Sequence, residues 1–158
     1  MKPTTALLPL LCLLTTCVEI NGGAVEVSWV IRSEMGSAIT DCGCASPTIA
    51  IVHLNLLGQG GAVDGDQPCA GNAQCDFPCA RQTGSTPFNI RETHGTERYL
   101  VSINAVGVNG IPLDGVKAPA PILREVIRGQ PTEVESMQLV ANCAAECQMN
   151  SSGVCASP

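Results

Sequence analysis

Val25-Glu26-Val27-Ser28-Trp29-Val30-Ile31-Arg32 decides the fold class. Val25, Val27, Trp29 and Ile31 alternate with Glu26, Ser28 and Arg32. A period of two sends successive side chains to opposite faces of a strand, so one face here is apolar and the other polar. The segment therefore reads as a half-buried β-strand, and Trp29, the only tryptophan, is its expected core anchor. Glu97 to Val106 repeats the pattern, with Tyr99, Val101, Ile103 and Ala105 expected inward and Ser102 and Asn104 outward.

Between these two strands lies Thr48 to Leu57, apolar on both faces and so expected at the centre of a sheet. Turn chemistry separates the segments. Met35-Gly36-Ser37, His94-Gly95 and Asn109-Gly110 are expected turns, the last a hairpin turn, and Gly58 to Pro68 is a loop by composition. Thr86 to Arg91 reads as a short strand that Pro87 confines to a sheet edge. Ile122 to Ile127 and Thr132 to Ala141 complete the series, with Gly129-Gln130 between them as a further hairpin signal. The last segment has two readings. Thr132 and Glu135 fit a helix capping box, and Val134, Met137, Ala141 and Ala144 have helical spacing, yet a strand over 132–141 fits the series better.

Six or seven short strands with turns between them predict an all-β fold, a single antiparallel sandwich. The core is assembled from small aliphatics, because only 3% of the 158 residues are aromatic. Such a core benefits from covalent support, and ten cysteines offer it.

The first sixteen residues read as an export signal. Lys2 is followed by a compact apolar stretch from Ala6 to Leu14, interrupted by Pro9. It is shorter than the roughly 20 residues a membrane span needs and matches a signal h-region of about 7–15. Leu14-Thr15-Thr16-Cys17 resembles the lipobox of bacterial lipoproteins, although Thr16 stands where Gly, Ala or Ser is usual. That resemblance implies cleavage after residue 16 and a lipid on Cys17, with 17–23 as a tether, 24–142 as the sandwich and 143–158 as a cysteine-containing tail. The alternative is ordinary secretion, with cleavage between Cys17 and Ala24. Counting favours the lipid. With Cys12 removed and Cys17 acylated, Cys42, Cys44, Cys69, Cys75, Cys79, Cys143, Cys147 and Cys155 remain, an even number suited to four disulfides.

Their spacing constrains the pairing without fixing it. Cys42 and Cys44 are poorly placed to bond each other, because neighbouring strand side chains diverge, so both are expected to reach distant partners. The clusters 69/75/79 and 143/147/155 each hold three cysteines, so each must send at least one bridge outside. Bridges closing long loops are worth roughly 3–5 kcal/mol each in the chain-entropy model.

The segments Val25–Arg32, Glu97–Val106 with its Asn109-Gly110 turn, and Gly129–Val140 resemble, as a pattern, immunoglobulin-like or transthyretin-like sandwiches carried on bacterial lipoprotein signals. Such exported domains look common in the envelope proteomes of bacteria rich in lipoproteins, such as myxobacteria. The resemblance implies a monomeric envelope protein, anchored to the outer membrane by its lipid, or otherwise extracellular, that binds an unidentified protein or small ligand.

Catalysis is not expected. No G-x-S-x-G elbow or C-x-x-C motif is present, and His53 and His94 stand apart in the sequence. C-x-C and C-x3-C spacings could ligate zinc, but an oxidising compartment favours disulfides, so neither a metal nor a cofactor is expected. Asp64-Gly65-Asp66, with Asp76 further on, lacks the remaining ligands of a calcium loop. Asn150-Ser151-Ser152 is a glycosylation sequon only in a eukaryotic setting. The formal charge of −6 becomes −7 once Lys2 leaves, and the arginines are scattered, so no nucleic-acid footprint exists. The rival from another class is a soluble, cysteine-rich secreted enzyme inhibitor or enzyme, with Gly58 to Pro68 as the displayed loop.

Overall fold

In chain order the strands are β1 (Ala24–Arg32), β2 (Ala38–Ile39), β3 (Ala45–Ser46), β4 (Ile51–Gln59), β5 (Asp76–Pro78), β6 (Thr83–Ser85) and β7 (Arg98–Val106). They continue with β8 (Ile122–Arg124), β9 (Pro131–Glu133), β10 (Met137–Val140), β11 (Asn142–Cys143), β12 (Gln148–Met149) and β13 (Cys155–Ala156). The computed structural model describes residues 20–158. The expected leader and Cys17 lie outside the described residues.

The strands form two main sheets. In one, β5-β4-β7-β8 are antiparallel throughout, and β4 and β7 pair over their full length from Ile51↔Val106 to Gln59↔Arg98. The expected central position of the second strand is thus occupied by β4. The other sheet is organised around β1. Antiparallel β6 and parallel β9 flank its first half, and antiparallel β2 and parallel β10 flank its second half. The fold is the all-β, disulfide-stapled one expected, with the departure that this sheet is mixed rather than purely antiparallel.

Alternation places the core. Val25, Val27, Trp29 and Ile31 of β1 share one buried cluster with Val52, Leu54 and Leu56 of β4 and Tyr99, Val101 and Ile103 of β7. Burying an aliphatic side chain of this kind contributes about 1.5–3 kcal/mol. Trp29, 1% exposed, stacks on Phe77 at 6.4 Å between ring centroids and donates its indole N–H to the Cys79 carbonyl at 3.2 Å. One large ring with a satisfied polar edge thereby ties β1 to the turn after β5.

Several expectations need correction. Thr86 to Arg91 is not a strand; only Ile90 makes a ladder contact, with Gly23, and the paired segment is β6, just upstream. Buried Thr86 ends that ladder by accepting the Val25 N–H on its hydroxyl at 2.9 Å, and Pro87 has no N–H to extend it. Gly129-Gln130 is not a hairpin turn. Gly129 has a φ of 71°, but the strands on either side belong to different sheets, β8 pairing with β7 and β9 with β1.

The 132–141 segment is extended, as the preferred reading has it, and not helical; it splits into β9 and β10, each parallel to β1. The Thr132 hydroxyl donates to the Glu125 carbonyl at 2.9 Å rather than capping a helix. Here the open ladder positions of β1 outweigh local helical spacing. The cysteine-containing tail, 143–158, carries short strands of its own: β13 joins β2, β12 joins β13, and β11 joins β3. The expected tether is shorter than 17–23, because Gly22 and Gly23 are buried. A Cβ on Gly22 would lie 2.1 Å from the Ile90 carbonyl oxygen, so only glycine lets the chain pass this close.

Candidate functional site

All eight cysteines counted beyond the leader are bridged. Cys42 bonds Cys79 and Cys44 bonds Cys147, across 37 and 103 residues. Cys69 bonds Cys75 and Cys143 bonds Cys155, across 6 and 12 residues. Cys42 and Cys44 thus each reach a distant partner, and each three-cysteine cluster sends one bridge outside. Asp41 presents the C-G-C turn by accepting the Gly43 N–H at 2.8 Å. Among the described residues, the one cluster with metal-ligand spacing is Cys44, Cys147 and Cys155, and its sulfurs belong to two of these disulfides.

The chemistry-bearing side chains gather on the outer face of the β4/β7 sheet. On β4, Val52, Leu54 and Leu56 point inward, so Ile51, His53, Asn55 and Leu57 point outward and are half-buried. Register sets His53 beside Asp76 of β5 on one side and Asn104 of β7 on the other. The His53 Nδ1 lies 2.5 Å from an Asp76 carboxylate oxygen. That contact fixes the ring and leaves Nε2 directed away from the carboxylate. A hollow of about 270 Å³ opens beside the pair, walled by Ile51, Asn104, Val106, Gly110 and Pro112. The Asn109-Gly110 turn forms its rim. Gly110, with φ of 76°, closes the turn by donating to the Gly107 carbonyl, and Val106 pairs with Pro112.

Two residues along, Asn55 faces Ser102 over a second hollow of about 220 Å³. The Asn55 amide nitrogen is buried and has no hydrogen-bond partner among the described residues. His53, Asn104, Asn55 and Ser102 therefore form a polar strip framed by Ile51, Leu57, Leu100 and Val106. The strip can donate and accept hydrogen bonds. Among the described residues, no hydroxyl, thiol or amine lies in the wall of the His53 hollow to act as a nucleophile.

A cleft of about 620 Å³ lies along β1 between its neighbours β6 and β9. Glu26, Arg81, Thr83, Ser85 and Glu133 line it together with Phe77 and Val27. Its volume falls in the usual range for small-ligand sites, about 300–1,000 Å³. A Cβ on Gly84 would lie 2.2 Å from the Phe77 ring, so glycine here is what lets the ring cover β6.

Other sequence candidates are dispersed. The His94 side chain is 74% exposed in its turn, with its Nε2 3.8 Å from a Glu92 carboxylate oxygen. Asp64 accepts the Gly60 N–H, Asp66 accepts the Tyr99 hydroxyl at 2.8 Å, and Asp76 is engaged with His53, so the three acids form no common site. Burial, then the Asp66 carboxylate, raises the Tyr99 phenol far above its ordinary value and keeps it protonated. The Gly58 to Pro68 loop is braced on the sheet. Glu97 accepts the N–H of Ala62 at 2.6 Å and of His94 at 2.9 Å, which holds its carboxyl below the usual glutamate range. The outward positions of His53 and Asn104 follow from alternation, whereas nothing in the cysteine-rich segment marked Asp76 as the histidine's partner. Among the described residues no helix is long and apolar enough to cross a membrane. Comparison with protein families, with curated proteins and with solved structures finds no match to this chain.

Proposed function

We propose that this is an exported, lipid-anchored protein of the bacterial cell envelope, held by Cys17, whose sandwich is a rigid binding or structural module and not an enzyme. The observation that carries the proposal is the complete pairing of Cys42, Cys44, Cys69, Cys75, Cys79, Cys143, Cys147 and Cys155. Four bridges belong to an oxidising compartment, and an even set leaves Cys17 free for a lipid. The cleft lined by Glu26, Arg81 and Glu133 and the polar strip around His53 are the two ligand-facing surfaces. Neither requires the protein to act as more than a monomer, and both suit a small polar ligand or a protein loop.

The bracing of Gly58 to Pro68 favours a second reading. A displayed loop held by Glu97 and Asp66 is the kind of preorganised element a secreted inhibitor uses. One experiment separates the two. The full chain and its Cys17→Ser variant are expressed with the native leader, fractionated, and weighed intact. A lipoprotein puts the parent in the membrane fraction with added acyl mass and releases the variant. A parent of unmodified mass in the soluble fraction sinks the anchor and leaves the inhibitor.

A further inference from the structure

The four cysteines that fasten the C-terminal segment fall into two kinds. Cys44 and Cys155 are fully buried, 1% and 0% exposed, while Cys143 and Cys147 are half-buried. Each disulfide joins one of each kind, Cys44 to Cys147 and Cys155 to Cys143. The two bridges also lie side by side. The sulfurs of Cys44, Cys147 and Cys155 are all within 4.8 Å of one another, and the Cys155 sulfur is 3.7 Å from the Cys44 carbonyl oxygen. A sulfur released from one bridge therefore already stands against the other.

We infer that these two bridges form a thiol–disulfide exchange site whose co-reactants are external thiols, and that a first two-electron reduction converts them into a single buried Cys44–Cys155 bridge. An external thiolate reaches Cys143, the accessible end of its bridge. The new sulfur–sulfur bond forms there, the Cys143–Cys155 bond breaks, and its electron pair leaves on Cys155. The Cys155 thiolate then attacks the adjacent Cys44 sulfur. The Cys44–Cys155 bond forms, the Cys44–Cys147 bond breaks, and Cys147 departs as a thiolate that takes a proton from water. A second external thiol resolves the mixed disulfide at Cys143, so two thiols become one external disulfide and the protein gains two thiols. Entry at Cys147 gives the same product, because it releases Cys44 against Cys155 and frees Cys143. Burial alone chooses the outcome: the protected sulfurs end up bonded, and the accessible Cys143-x3-Cys147 pair carries the electrons. The C-terminal strand β13 stays fastened, because the new bridge closes a loop of 111 residues in place of one of 103. Exchange rates depend on access and on the attacking thiolate being in place, and both conditions are met here.

The test uses the oxidised protein and limiting reduced glutathione, with N-ethylmaleimide to trap thiols and non-reducing peptide mapping to locate them. The expected result is label on Cys143 and Cys147, loss of the Cys44–Cys147 peptide in step with the Cys143–Cys155 peptide, and appearance of a Cys44–Cys155 peptide. Label on Cys143 and Cys155 with Cys44–Cys147 intact overturns the exchange. So does label on Cys44 and Cys147 with Cys143–Cys155 intact, or no labelling of these four cysteines at any glutathione concentration. A Cys143→Ser variant gives an independent check without reductant. It should mature with Cys44–Cys155 bonded and Cys147 free in a substantial fraction of molecules. Cys155 as its sole free thiol would equally refute the exchange.

Discussion

Loop length should rank the four disulfides, and the structure lets the ranking be worked out. In the chain-entropy model a bridge removes denatured-state freedom as the logarithm of the loop it closes. Separations of 103, 37, 12 and 6 residues then give about 4.7, 3.8, 2.8 and 2.2 kcal/mol at 25 °C, before any native-state distortion. Replacing both members of a bridge with alanine removes the constraint without leaving a free thiol. Cys44, Cys69 and Cys75 are each only 1% exposed, so the cavity cost of the substitutions is present in either pair. The Cys44→Ala/Cys147→Ala variant should therefore be less stable than Cys69→Ala/Cys75→Ala by about 2.5 kcal/mol. Equilibrium urea unfolding followed by Trp29 fluorescence measures both. If the two variants lose the same stability, or the short-loop variant loses more, the long bridge does not act through the unfolded chain and the ranking fails.

Three further outcomes follow from single contacts. Trp29→Ala should cost about 3–5 kcal/mol in urea unfolding followed by far-ultraviolet circular dichroism, the range for deleting a large buried ring. Gly84→Ala places a Cβ 2.2 Å from the Phe77 ring, so it should cost about 1–3 kcal/mol and alter the near-ultraviolet circular dichroism of Trp29. Glu97 has its carboxyl held below the usual range by the Ala62 and His94 N–H groups, so its contribution is present above the ordinary glutamate value and is lost as pH falls through the lowered one. Glu97→Gln should accordingly flatten the acid limb of a stability–pH profile; an unchanged limb would remove Glu97 from the bracing of the loop.

Some of this fold could be read directly and some could not. The faces of β1 and β7 were legible because each runs nine residues with a clean period of two, long enough for one-sided burial to leave its mark. β4 was legible as central because its outward positions are still partly apolar. Thr83-Gly84-Ser85 carries no apolar side chain, so nothing local marks β6; it is a strand because β1 needs a partner and Gly84 makes room for Phe77. The segment after Pro131 was legible as extended only against a competing helical signal, for a related reason. Its helical spacing is a local signal, while its pairing with β1 is set more than 100 residues away, as Trp29↔Met137 shows. The candidate site divides the same way. His53 and Asn104 follow from alternation, but Asp76 meets His53 only through the register of a three-residue strand. The cysteine bridges were bounded by parity and spacing, and their partners were settled by tertiary packing.

The position of β1 has a consequence for how the molecule comes into being. The first strand takes partners from Ala38, Thr83, Pro131 and Met137 onward, so its last ladder cannot close until Met137 to Val140 are present. Contacts of such long range are slow to form, because the intervening chain must be brought together before they reward it. An emerging polypeptide would hold Val25, Val27, Trp29 and Ile31 without their cover until then. The sandwich is thus finished by its C-terminal third, a zip fastener whose slider travels last past the strand that was made first.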